Sequence, residues 1–253
     1  MVLDHFYATV IELNRTLAMK NPEIIIVGGV HGDEYEGVEV VGYLWNHPEK
    51  FPAMRGIIGN PPAVQQGSRY IDENLNTIPQ AAIPQPNSSM GQFGLYSYEN
   101  RQTQNLIYDI EYFLNLPEKG LKLVIDIHST RASGNTCLII PNPSIGGTQI
   151  KLSLRLGVPI IWVPGETESL IGKLPDEITK IGLEISQDQW DKGLYTPHEL
   201  LKSIQLSISD TQSTDGFPHN YEVYGEKDPS DIASLAPQAR NFICFTKEEK
   251  QAL

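Results

Sequence analysis

The 253-residue chain is 40% hydrophobic and carries a formal net charge of −12. It is long enough for one large α/β domain, or a core domain with a small appendage, and apolar enough for a sizeable core. The negative field repels nucleic acid and anionic membrane surfaces, so an anionic ligand needs local positive charge from a metal or a few arginines.

The opening stretch, MVLDHFYATVIELNRTL, contains acids and an asparagine. It lacks the basic end, apolar middle and small-residue cleavage site of a signal peptide. No apolar run approaches the ~20 residues that span a bilayer. A soluble, cytoplasmic protein is the expectation. Cys137 and Cys244 are the only cysteines. They read as buried free thiols, because a disulfide framework needs more and neither stands in a CxxC pair.

Residues 23–30 (EIIIVGGV) read as a buried, parallel strand ending in glycines. A helix follows, with Val38, Val41, Leu44 and Trp45 at helical spacing, Asp33 and Glu34 in its first turn, and Pro48 ending it. Residues 56–59 are a second strand that runs into Asn60-Pro61-Pro62. The Pro-, Gln-, Asn- and Ser-rich stretch 78–94 is a long surface loop. Residues 98–116 are helical, with Leu106, Ile110 and Phe113 on one face. LKLVIDIHST is another buried strand, CLIIP and GVPIIWVP are strand-like, and ITKIGLEIS is a short apolar strand with a glutamate inside it. Residues 197–208 form a helix, and from Thr211 the chain is turn-rich, a short β-rich tail. The fold class is therefore α/β: a mixed, mostly parallel central sheet with helices on both faces. The expected division is a main domain at 1–210 and a short C-terminal β-rich segment at 211–253.

Functional groups in such sheets gather at the carboxyl ends of the strands. His31 and Glu34 stand there as an H-x-x-E pair, one on the loop and one on the first helical turn. Alone the pair reads equally as a satisfied surface pair. His128 changes the reading, because it ends the other clearly buried strand, a place that His5, His47, His198 and His219 do not share. Two histidines and a glutamate are a zinc ligand set that leaves a fourth position to water. On pattern alone Glu184 is either an edge-strand glutamate facing solvent or a general base and acid beside that water. Arg69 is either a structural loop residue or a group that polarises a carbonyl or holds a carboxylate.

The segments GGVHGDEYEG, GNPPAVQQGSRYIDENLN, SYENRQTQNL, DIHSTRASGNTCLII and GLEIS resemble, in order and style, the aspartoacylase and succinylglutamate desuccinylase family, a relative of the zinc carboxypeptidases. The resemblance runs from about Ile24 to about Glu184 and lies nearer the aspartoacylase branch. It implies a zinc carboxypeptidase-like fold and a hydrolase that removes an acyl group from the amine of an amino acid with one Zn2+ per chain. By position it assigns zinc to His31, Glu34 and His128, the general base to Glu184, the oxyanion-stabilising arginine to Arg69, and a hold on the substrate carboxylate to Asn76. It suggests a homo-oligomer acting on a small N-acyl amino acid, with no nucleic-acid or membrane partner. Two departures fall in one motif: where the family typically reads Asp-Leu-Asn-Arg, this chain has Asn74-Leu75-Asn76-Thr77. Thr77 cannot replace an arginine's charge, and Arg131 is the candidate to supply it. Asn74 can still accept an imidazole N–H, without charge. A different amide or small-peptide substrate, or a non-catalytic metal-binding member, stands as the alternative.

Overall fold

Four β-branched residues and a glycine, Ile24–Gly28, form strand β1, and all five are buried. In a computed structural model describing residues 24–79, 83, 97–115, 122–130, 136–142, 146–162, 169–209 and 242–244, this strand lies inside the sheet. Its partners are β2 (Met54–Ile58) and β3 (Leu123–Thr130), both parallel to it. Beyond β3 come β6 (Thr179–Ser186), β4 (Cys137–Ile140), β5 (Ile160–Trp162) and the edge strand β7 (Phe242–Cys244), giving the order β2-β1-β3-β6-β4-β5-β7. Every neighbouring pair is parallel except β4 with β6. The stretch between β3 and β4 is too short for a helical crossover, so the chain reverses direction there. The expected mixed, mostly parallel sheet is what the chain forms.

Alternation along the strands sends successive side chains to opposite faces. Ile24, Ile26, Leu123, Ile125, Ile127, Leu183 and Ile185 share one core with α1 (Tyr35–Asn46), α4 (Gly147–Leu156) and α6 (Pro197–Ser209). Ile25, Val27 and Val124 share a second core with Leu106, Ile110 and Leu114 of α3 (Tyr98–Asn115). Helices thus cover both faces. Within β3 the second face also carries Asp126 and His128, and within β6 it carries Glu184.

Three helices were not expected from pattern. In α2 (Pro61–Gln66) the Asn60-Pro61-Pro62 run starts a helix rather than a turn. The Asn60 side chain accepts the amide of Ala63, Pro61 sits at the first helical position where no N–H is needed, and Gly67 closes the helix at φ 62°. Helix α4 begins where the amide of Gly146 donates to the Gln149 side chain, 2.6 Å, and ends at Gly157 with φ 66°. The third, α5 (Gln187–Asp191), is a short continuation of β6. Of the segment 211–253, only 242–244 lies among the described residues.

Helix α1 rests on β1 and β3 by backbone contact. A Cβ placed on Gly28 would lie 2.2 Å from the carbonyl oxygen of Gly37, and one on Gly37 would lie 2.8 Å from that of Ile127. Both obstacles are backbone atoms, which cannot swing aside. This close approach brings the N-terminus of α1, where Glu34 is the capping residue, down onto the strand ends. Gly28→Ala is expected to cost about 3 kcal/mol of folding stability, the upper end of overpacking penalties. Urea denaturation measures it, and an unchanged midpoint would show that α1 does not bear on β1 here.

Candidate metal centre

The chain leaves β1 at Gly28, turns, and sets His31 and Glu34 above the carboxyl ends of β1 and β3. The turn is close-packed: a Cβ on Gly32 would lie 2.1 Å from the Ala63 carbonyl carbon, and the Gly32 amide donates to the Arg69 carbonyl, 3.2 Å. His31, Glu34 and His128 are all buried. They form the one group of metal-ligating type among the described residues, each offering an atom within 4.8 Å of the others'.

Glu34 is the centre of the cluster. Its Oε1 lies 2.7 Å from His31 Nδ1 and accepts from Arg69 Nη1 at 3.0 Å. Its Oε2 lies 2.8 Å from His128 Nδ1 and accepts from the Ser129 amide at 3.3 Å. Burial works against the charged carboxylate, but the hydrogen bonds and charge of His128 and His31 hold Glu34 well below the usual carboxylate range. For His128, burial would lower the pKa. The charge and hydrogen bond of Asp126, the hydrogen bond with Glu34 and the charge of Glu184 outweigh it and raise the ring well above its ordinary 6.5.

Each ring is aimed from behind. Asn74 Oδ1 lies 3.0 Å from His31 Nε2, and Asp126 Oδ2 lies 3.0 Å from His128 Nε2. These contacts orient both rings, so that the two Nδ1 atoms face one another across Glu34. The set fits a zinc ion: two imidazole nitrogens and a carboxylate oxygen converge, and both far ring nitrogens are engaged. Asp126 was not singled out from sequence, although its place two residues before His128 on one strand puts both side chains on one face.

Glu184 is the register partner of His128 on the neighbouring parallel strand. Register partners on adjacent strands project to the same face, so the Glu184 carboxyl stands beside the cluster, half-buried. Cys137 pairs with Glu184 from β4. Burial, and then the charge of Glu184, push its thiol up to about 12, which keeps it a protonated, unpaired thiol.

Arg69 is half-exposed, with Nη1 3.7 Å from Asp33 in addition to its bond with Glu34. Asn76 faces inward: its Oδ1 accepts from the Leu170 amide at 2.9 Å, and its Nδ2 lies 3.3 Å from His128 Nε2. The structure thus puts Asn76 against the back of His128 and the turn at Leu170. Thr77 donates its hydroxyl to the Asn74 carbonyl, 3.1 Å. Arg131 lies outside the described residues.

Residues 20–153 match the family model of the succinylglutamate desuccinylase/aspartoacylase catalytic domain. That span holds His31, Glu34, Arg69, Asn76 and His128, while Glu184 lies beyond it. A protein named "Probable aspartoacylase" from Nostoc sp. is 32% identical over 124 residues, 47% of this chain and 39% of its own length. The succinylglutamate desuccinylase of Shewanella denitrificans is 29% identical over 150 residues, 55% of this chain and 41% of its own length. The match thus spans about two fifths of the length of either relative. The crystal structure of the succinylglutamate desuccinylase from Chromobacterium violaceum has the same fold, with a TM-score of 0.59, 18% identity, and coverage of 78% of this chain and 66% of that one.

The proton on His128 competes with a metal for Nδ1 and the ring's orientation. Because the folded pKa of His128 is raised, its contribution to apo-protein stability is full below pH 6.5 and is lost as pH rises through the raised value. Binding of a zinc ion by these residues would have the opposite sign. Its affinity, measured by chelator competition, is expected to climb up to about tenfold per pH unit above pH 6.5 until the apo ring is neutral. A flat profile would mean that no proton leaves the cluster on binding.

Proposed function

The chain belongs to the succinylglutamate desuccinylase and aspartoacylase family, and from that premise we propose that it is a zinc-dependent amidohydrolase removing the acyl group of an N-acyl amino acid. The observation that carries the reading is the register of β3 and β6, which stands Glu184 beside His128 on the face where His31 and Glu34 converge.

His31 and His128 through Nδ1, and Glu34 through a carboxylate oxygen, would hold the ion. When bound, zinc supplies Lewis acidity, which makes water more acidic and polarises a carbonyl. Glu184 accepts the proton of the attacking water as its oxygen bonds to the amide carbon. Arg69, half-exposed at the mouth of the cluster, donates to the carbonyl oxygen as negative charge collects there, and must release part of its hold on Glu34 to do so. The C–N bond then breaks, Glu184 returns the proton to the leaving nitrogen, and the products are a carboxylate and a free amino acid. Asn74 and Asp126 keep the imidazoles in place throughout.

The substrate's own carboxylate needs a cation. Thr77 brings none, since its hydroxyl is turned back onto Asn74. Asn76 is engaged by Leu170 and His128, and Lys173 donates to the Asn76 carbonyl at 3.0 Å. A monoanionic N-acyl amino acid asks for less positive charge than a dianionic one, so the neutral Thr77 favours, as a second reading, substrates whose side chain carries no acid.

Replacing Glu184 with Gln is expected to lower kcat by at least about 10³-fold, in the upper range for loss of a general base and acid, with zinc content unchanged. Loss of zinc along with activity would move Glu184 from proton transfer into the metal site. A panel of N-acyl amino acids that includes N-acetyl-aspartate, assayed by amine release with and without a chelator, separates the two readings. Turnover of N-acetyl-aspartate fits the acidic class, turnover only of neutral members fits the second, and chelator-insensitive turnover contradicts both.

A further inference from the structure

Arg69, Asn74 and Asn76 all sit on one stretch of chain between α2 and residue 79, which has no regular structure beyond a single 3-10 turn at Leu75–Thr77. Irregular backbone cannot hold a ring nitrogen to 3.0 Å unless something fixes it. That something is Glu99, in the first turn of α3 and 0% exposed. Its Oε1 accepts from the Ile71 amide at 2.6 Å and from Asn60 Nδ2 at 3.1 Å. Its Oε2 accepts from the amides of Asp72 at 3.0 Å and Glu73 at 3.3 Å. A carboxyl group offers about four lone-pair sites, and all four are filled. Three successive amides that no strand or helix pairs are satisfied by one side chain.

The grip is reciprocal. Asp72 Oδ2 accepts from the Tyr98 amide at 2.8 Å, one of the N-terminal amides that α3 cannot satisfy internally. Glu73 Oε1 accepts from the hydroxyl of Ser97 and, at 2.5 Å, from Asn100 Nδ2. Loop acids cap the helix, and the helix acid binds the loop. On either side of the gripped amides stand the working groups: Arg69 two residues before Ile71, with Nη1 on Glu34, and Asn74 one residue after Glu73, with Oδ1 on His31.

We propose that Glu99 is a positioning residue for the metal centre: through residues 71–73 it fixes Asn74 behind His31. This rests on reading the His31, Glu34 and His128 cluster as a metal site. Glu99 touches neither metal ligand nor substrate, so its effect passes through Asn74. A role confined to stabilising the fold would lower the melting temperature and leave the metal alone.

The test reads zinc affinity by chelator competition on folded protein, with the visible absorption of the cobalt-substituted protein as a report on ligand geometry. Glu99→Gln keeps the shape but turns an NH2 group toward two amide donors. It is expected to weaken zinc binding by about 10- to 100-fold, the scale for losing the group that orients a ligating histidine, and to alter the cobalt spectrum. Glu99→Asp, which keeps four acceptor sites, recovers part of the loss. Because the effect passes through Asn74, Glu99→Gln with Asn74→Ala binds zinc no more weakly than Asn74→Ala alone. Wild-type affinity in Glu99→Gln, or losses that multiply in the double variant, overturn the proposal. A wild-type protein that binds no zinc overturns the site reading and this inference with it. If Glu99→Gln does not fold, the exposed latch residue is read instead: Asp72→Ala weakens zinc several-fold, and unchanged affinity there overturns the proposal.

Discussion

A carboxylate taken out of water has to find replacements for the hydrogen bonds it leaves behind. Glu34 sits almost wholly out of water, and the molecule answers with one imidazole and one further donor on each oxygen. The geometry of the candidate site follows from that demand. Two rings that must both present Nδ1 to one carboxyl group cannot also choose their own orientation, so each needs a partner at Nε2. Asn74 and Asp126 are those partners, one neutral and one acidic. The inequality matters. Against the effect of burial, the charge of Asp126 raises the basicity of His128, and a ring held by a charged partner is the stronger electron donor to a metal.

The sheet delivers these groups by register. Alternation assigns Asp126, His128 and Glu184 to one face of two adjacent strands, and parallel pairing sets His128 and Glu184 side by side. The antiparallel strand β4 then closes the far flank of Glu184, with Thr136 tying Ser186 and Gln189 across the strand end. Helix α1 contributes Glu34 from the opposite layer, and it can do so only because glycine meets glycine where α1 crosses β1.

Periodicity made the central strands and α1, α3 and α6 legible in the sequence, because each has one clear apolar pattern and a long enough run. The helices α2, α4 and α5 were hidden by their punctuation. Prolines at the start of α2 look like a turn until Asn60 is seen to cap the helix, and α4 lies among glycines and prolines that mark its ends. His31, Glu34 and His128 stood out because strand ends are few and histidines are fewer. Asp126 was within reach of the same logic, through its place two residues before His128. Glu99 was not: its partners are backbone amides more than twenty-five residues away, and no residue type in the loop announces that its N–H groups need an acceptor. Asn76 shows the converse limit, since the resemblance names a residue for the substrate but not which way its amide turns in this chain.

The mutual grip between residues 71–73 and the start of α3 joins two points of the chain that are far apart in sequence, and so draws the connection between them into a ring tied at its neck. The entropy of closing a ring grows with the logarithm of its length, by about 0.6 kcal/mol for each doubling. A longer connection between Thr77 and Ser97 would therefore add little to the entropy of closing the neck, and residues 71–73 and the start of α3 would stay joined by the same hydrogen bonds.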